Sequence, residues 1–510
     1  MLRRMVAAPL LRLGSVSVLC AWVAAQEPTT DVRQELQRVL EEVRSLRSEM
    51  ERKDRRIDEL EGRFRELEQR PVPSSAPEQE SVEKALEELR AQLAAMPQVK
   101  TAAPFPKVTL GGQLRWRAES RNGYDFGSGT AIPSNHFVEQ RARLHADVDF
   151  SELLRAFVQI QDTRLWGEEV NTVDDSADGG DFHQAFLDFK KLFDAEDTLR
   201  IGRQEISYGA QRLVSALEWT NQARAFDGAR WMGELGAAHA EVFATQLATA
   251  RDAAGDVSGS EFGGTYWTLH PIEDAKKDAL DLYLLYLHDA ERYQGQERGT
   301  AGARYEILTK GGLYFEAEGA LQFGNATTGT AGAPERSLDI PFGEVFAYVV
   351  RAGYRMDEAD WKPGITFEWN HASGDEDPAD GTNERFNTLF PLAHAHNGMI
   401  DLTFWENTRN AALRFNASPS DQLDLFLDGW WFWVDEDADA VRGPNFNIPG
   451  LAGSANFVGT EIDALARWRP TAGLSLEAGY AVLFPGEHVK DVLGDDELAH
   501  FVYVMLGLKF

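Results

Sequence analysis

The chain reads as an all-β protein: a transmembrane antiparallel β-barrel of about 18 strands, preceded by a periplasmic α-helical coiled coil. Three observations predict it. From Val108 onward, polar and apolar residues alternate with period two in one segment after another. The chain opens on a short apolar segment of secretory character. It ends on an aromatic residue that closes an amphipathic strand.

The alternation is clearest in four places. Leu110, Leu114 and Trp116 alternate with Gln113, Arg115 and Arg117. Ala142, Leu144, Ala146, Val148 and Phe150 alternate with Arg141, Arg143, His145, Asp147 and Asp149. The same pattern recurs in 154–161 and 461–468. Side chains of a strand point to opposite faces in turn, so charge on every second residue demands a different solvent on each face. Looser versions recur near 182–190, 197–203, 226–233, 237–247, 261–270, 278–289, 299–308, 312–323, 343–355, 364–372, 408–416, 421–433 and 473–483. At roughly 22 residues per strand and turn, the region 107–510 holds an even number of strands near 18. Connections 121–136, 165–181, 371–397, 434–457 and 484–499 are long and polar, as the outer loops of such a barrel are.

A soluble β-sandwich also alternates. Two features favour the membrane. The run Trp430-Trp431-Phe432-Trp433 falls at a strand end, where an interfacial aromatic girdle belongs. At the C-terminus, Phe510 follows Leu508, Leu506, Val504 and Val502 at every second residue. No apolar run beyond the N-terminus approaches the ~18 residues that a spanning helix needs.

Residues 1–25 are expected to be a signal peptide, with Arg3 and Arg4 ahead of an apolar core and Val23-Ala24-Ala25 at the cleavage site. The one cysteine, Cys20, lies within it, so no disulfide or thiol site is expected. Residues 26–70 form the coiled coil. Val32, Leu36, Val39, Val43, Leu46, Met50, Ile57, Leu60, Phe64 and Leu67 keep the heptad, and Lys53 falls on the seam. Residues 71–106 read as a linker with a short helix: Pro71, Pro73 and Pro77 break the heptads, and Val82, Leu86, Leu89 and Leu93 restart them. The coiled coil makes a homotrimer one candidate assembly.

Most of the net charge of −31 falls in the barrel region, which argues against a nucleic-acid partner. The expected partners are membrane lipid and a solute. No G-x-S-x-G, H-E-x-x-H or P-loop occurs, so neither enzyme chemistry nor a cofactor is expected. With the apolar partners facing lipid, Arg115, Arg117, Arg141, Arg143, Arg155, Arg200, Arg414 and Arg467 face the lumen. A ladder of guanidinium groups offers weak multi-site attraction to anions, which suits conduction. The competing reading pairs these arginines with Asp147, Asp149, Glu461 and Asp463 as braces. Arg203 and Arg212 are added to the lumen set. They lie where alternation breaks after Ile201, which marks a bend or constriction loop, or else a rim salt bridge. The carboxylates Asp375, Glu376, Asp377 and Asp380, and likewise Asp174, Asp175, Asp178 and Asp181, offer oxygen ligands for calcium; a solvated loop is the plainer reading. His394 and His396 lack a third metal ligand and are read as loop residues, so no metal site is assigned.

Leu199-Arg200-Ile201-Gly202-Arg203-Gln204, Tyr208-Gly209, Arg212-Leu213-Val214, Trp219-Thr220-Asn221 and Phe226-Asp227-Gly228 resemble the alginate-export outer-membrane porin family. So do Ser373-Gly374-Asp375, Phe386-Asn387-Thr388-Leu389-Phe390-Pro391, His396-Asn397-Gly398 and Gly459-Thr460-Glu461-Ile462-Asp463. The resemblance spans nearly the whole barrel. It implies an 18-stranded barrel whose basic lumen passes an anionic polysaccharide. The added coiled coil resembles the oligomerising helix of phosphate- or anion-selective porins. The expected function is passive diffusion of an anionic or neutral oligosaccharide or polysaccharide such as alginate, or of other small anions, across the outer membrane. The alternative is a structural anchor whose coiled coil tethers the membrane to the cell wall.

Overall fold

The computed structural model describes residues 106–126, 135–166, 180–193, 196–247, 260–272, 274–289, 295–328, 336–494 and 496–510. The expected signal peptide, the coiled coil and all of the linker but Pro106 lie outside the described residues, as do Asp174, Asp175 and Asp178.

The alternating segments form strands. They run β1 (Lys107–Asn122), β2 (Asn135–Asp149), β3 (Leu154–Leu165), β4 (Asp181–Lys190), β5 (Thr198–Gln204), β6 (Phe226–Leu235) and β7 (Ala238–Leu247). They continue as β8 (Ser260–Leu269), β9 (Lys277–Asp289), β10 (Gln296–Leu308), β11 (Leu313–Thr328), β12 (Arg336–Ile340), β13 (Phe346–Arg355) and β14 (Gly364–Ala372). The last group is β15 (Thr408–Ser420), β16 (Leu423–Val434), β17 (Val441–Arg442), β18 (Asn447–Ile448), β19 (Phe457–Thr471), β20 (Leu474–Pro485) and β21 (Ala499–Lys509). A short helix, α1 (Glu487–Leu493), lies between β20 and β21.

Each strand from β1 to β10 pairs antiparallel with its successor. β11 pairs with β13 over Leu313–Leu321 and with β12 over Gly324–Thr328, so β12 and β13 share one place in the ring. The ring continues through β14, β15, β16, β19 and β20 to β21, and β21 pairs with β1 from Gln113↔Lys509 to Asn122↔His500. The result is a closed barrel of 18 antiparallel strands. Closure leaves the ring no unpaired first or last strand, which hydrocarbon requires because it offers backbone groups no hydrogen-bond partner. The paired β17 and β18 stand outside the ring in the connection 434–457.

The two rims differ. Turns such as Leu235–Ala238, Ser420–Leu423 and Thr471–Leu474 are tight. On the other rim the connections are long, among them 205–225, 373–407 and 435–456.

Outward positions are apolar and accessible: Val502, Val504, Leu506 and Leu508 on β21, Leu144 on β2, Leu282 and Leu284 on β9. The aromatic run on β16 needs correction as a girdle. A strand cannot turn four consecutive rings to one side. Trp431 faces outward, whereas Trp430 and Phe432 are buried inside the barrel, their rings stacked 6.0 Å apart. The interior therefore holds apolar cores. One joins Ile206, Tyr208, Leu213 and Val214 to Phe386, Leu389, Phe390 and Trp405. A second joins Ile400 and Leu402 to Trp430, Phe432, Phe501 and Tyr503.

Candidate functional site

On the inner wall the arginines are engaged. Arg155 donates to Asp147 at 2.6 Å and to Asp188 at 2.7 Å, and Arg200 reaches Asp188 at 2.7 Å. Arg414 lies 2.9 Å from Asp428 and 3.4 Å from Glu368, and Arg467 lies 2.8 Å from Glu477. Of the acids expected to brace the wall, Asp147 does so, and Asp149 takes Lys190 instead. Glu461 and Asp463 accept the backbone N–H groups of Ile400 and Met399. Arg203 is misplaced in a lumen set. It shares the face of lipid-side Ile201 and pairs there with Asp227 at 2.8 Å and Asp181 at 3.2 Å. This is the rim salt bridge, and strand parity is its cause.

Alternation does break after Ile201. Strand β5 stops at Gln204, and residues 205–225 turn into the lumen. Gly202 is held at φ +130°, where a Cβ would lie 2.2 Å from the carbonyl oxygen of Ala185. Its register partner is Gly228 on β6, where a Cβ would lie 2.3 Å from the carbonyl oxygen of Ala244. Glycine is needed at both for the neighbouring strands to come this close.

The inward segment is held at both ends. Glu218 accepts Arg141 and Arg143 of β2, each at 2.6 Å. Arg115 donates to the carbonyl oxygens of Glu218 and Thr220, and Arg117 to that of Trp219. Arg117 also pairs with Glu119 and Glu139, and its guanidinium lies 4.0 Å over the Trp219 ring. Burial opposes ionisation of Glu218, but Arg141 and Arg143 outweigh it and hold the carboxyl down at about 2. At the other end, Arg212 donates to Glu316 at 2.7 Å and Glu318 at 2.9 Å, both on β11. Burial would lower the Arg212 pKa; the two glutamates override it and raise it. Strands β2 and β11 stand halfway round the ring from each other, so the segment crosses the lumen.

A second segment, 373–407, lies against it. Val214 and Phe390 form a parallel bridge, and Phe390 and Leu392 donate to the carbonyl oxygens of Leu213 and Gln211. His394, in a 3-10 turn (Ala393–Ala395), stacks on Trp219 with centroids 3.6 Å apart and bonds Asp401 at 3.1 Å. His396 reaches the carbonyl oxygen of Ala210 at 2.7 Å. Neither histidine is placed as a metal ligand.

Arginines that the sequence reading passed over extend the pattern. Arg304 of β10 joins Asp281 and Glu316; Arg351 of β13 joins Glu316 and Glu368. From β9 to β16 the inner wall thus carries a belt of alternating charge, into which Arg212 inserts. The signal was present: Arg304 and Arg351 lie on the polar parity of their strands.

Two other clusters have carboxylates close together. His183, Glu205 and Glu218 converge, but Arg143 lies 3.0 Å from His183, 3.4 Å from Glu205 and 2.6 Å from Glu218, so a guanidinium already neutralises the group. In the acidic loop read as solvated rather than calcium-binding, Asp375 is buried, whereas Asp377 and Asp380 accept nearby backbone N–H groups. Burial, reinforced by Glu384, pushes the Asp375 carboxyl up to about 7.

Solved porin structures share the fold. OccK8 (OprE) of Pseudomonas aeruginosa is 9% identical, with a TM-score of 0.51 over 79% of this chain and 98% of its own. OpdO of the same organism is 13% identical, with a TM-score of 0.51 over 79% and 97%. OccAB2 of Acinetobacter baumannii is 12% identical, with a TM-score of 0.50 over 79% and 98%. No curated protein matches the chain significantly. The family model described as alginate export matches residues 107–502, the whole barrel but for its last residues. With a closed barrel, an apolar outer face and a charged inner one, the chain belongs to the alginate export family and is a porin-like outer-membrane channel.

Proposed function

We propose that the protein passes an oligosaccharide, anionic or neutral, or other small anions, by passive diffusion past arginines held in carboxylate pairs. The belt of alternating charge carries this reading. Paired charges present hydrogen-bonding groups to a solute without holding it tightly, and weak multi-site contact favours passage over capture. Alginate, the cargo in the family's name, is one candidate. Planar-bilayer recording with purified protein tests the proposal. Ohmic current that neutral and anionic oligosaccharides interrupt supports it; a silent barrel refutes it.

The apolar cores inside the barrel favour one rival: a membrane anchor whose N-terminal coiled coil reaches the cell wall through the periplasm. Deleting residues 26–100 separates the two. Envelope damage with intact uptake supports the tether, while an intact envelope with loss of a trimer assigns the coiled coil to assembly.

A further inference from the structure

A β-strand that spans a membrane, tilted by about 45°, needs roughly 9–11 residues. Strand β5 has 7 residues. It is the one described strand below nine that fills a place in the ring alone, since β12 shares its place with β13. Its start lies beside water, because Lys191 and Glu152 pair in the adjoining turns and both are exposed. At about 3.3 Å per residue along a tilted strand, Arg203 rises only about 12 Å above Thr198. That is half of a hydrocarbon belt about 25 Å tall. The upper rim therefore dips at β5, and ionised groups come down with it.

Arg203 faces outward with its partners Asp227 at 2.8 Å and Asp181 at 3.2 Å. On β3, Asp162 and Arg164 share the outward parity of Ile160 and pair at 2.8 Å. All five side chains are partly exposed, from 29% to 55%. Across the ring the outward positions are apolar: Phe367 on β14, and Leu413 and Phe415 on β15. Ionised side chains are costly against lipid tails, whereas against protein they find partners.

The covering partner follows from the charge pattern. Arginines stand on β3 and β5, and carboxylates on β3, β4 and β6. A second copy of the same face sets each arginine against a carboxylate. Phosphate headgroups fit less well, because three carboxylates outnumber two arginines. The surface beside the dip is also flat. Ile201, Ala229, Ala244 and Gly263 follow one another in direct register from β5 to β8, and small residues let a neighbour approach closely.

We propose that the outward face of β3–β8 is a barrel-to-barrel interface, at which a second copy of this chain covers the ion pairs of the dip. The heptads of 26–70 predict self-association from a separate part of the sequence. The interface is independent of the cargo.

The test uses the full chain in the outer membrane of an expressing cell. The photo-reactive residue p-benzoylphenylalanine is placed at Ala229, beside the dip, or at Leu413, across the ring. Heptads alone would gather barrels without choosing a side, so the readout is the ratio of the two yields. Illumination is expected to give a covalent dimer of this chain from Ala229, at least fivefold above that from Leu413. Arg203→Asp, which leaves the dip short of a cation, should lower the Ala229 yield at least threefold. Arg203→Asp combined with Asp227→Arg should restore it. Heat-modifiable mobility on gels establishes that each variant barrel is folded. If Arg203→Asp alone does not fold, the wild-type ratio and the charge swap still decide. Equal yields from the two positions, adducts of Ala229 with lipid or another protein alone, or a dimer yield unchanged in Arg203→Asp would overturn the proposal.

Discussion

Arg212 Nη1 lies 2.7 Å from Glu316 Oε1, across the lumen from the wall that holds Glu218 of the same short segment. The two contacts make residues 205–225 a crossbar. Replacing Arg212 with Met leaves the buried Glu318 without its cation, while Glu316 keeps Arg304 and Arg351. Removing one partner of such a pair costs about 3–5 kcal/mol. Urea unfolding of the detergent-solubilised barrel should show that loss, and single-channel recording should show a higher and noisier conductance.

Glu218→Gln acts at the other end. It leaves Arg141 and Arg143 short of a carboxylate while preserving much of the side chain's shape. The expected outcome is a shift towards anion selectivity, read as a change of reversal potential in a salt gradient. An unchanged potential would place these arginines off the ion path.

The pH dependence has two opposite signs. Glu218 has a depressed pKa, so its stabilising effect is complete above about 4.5, its ordinary value, and disappears as pH falls towards 2. Asp375 has a raised pKa. Between its ordinary value near 4 and about 7, the folded state holds a proton that the unfolded state has lost, so stability falls as pH rises through that window and is level above it. Asp375→Asn should remove this slope and stabilise the protein at pH 8 but not at pH 3. Thermal melts at several pH values measure both effects.

Val504 lies in mid-strand on β21 and faces outward, 47% exposed. Val504→Lys places an ammonium against hydrocarbon and should cost roughly 2–4 kcal/mol if the site is near the bilayer midplane. Folding titrations into lipid vesicles measure the loss. Lys107→Ala at the start of β1 is the control that should change little.

The barrel wall was legible because one rule, polar in and apolar out, applies to every strand. That rule placed Arg115, Arg141 and Arg414 inside, and Leu144 and Val504 outside. It also shows why Arg203 belongs with Ile201: one residue further along the strand changes its side. The crossing segments were legible only as a break in pattern. Nothing in local sequence says that Glu218 meets β2 while Arg212 meets β11, because those contacts depend on closure of the ring. For the same reason the bond from His396 to the carbonyl oxygen of Ala210 left no trace. Its partners come from two connections nearly two hundred residues apart.

Strand β1 has a double engagement. Its backbone seals the seam with β21, while Arg115 and Arg117 grip the carbonyl oxygens of 218–220 from the same strand. The seam and the crossbar thus share one strand, so a substitution that loosens β1 is expected to weaken both sets of contacts together.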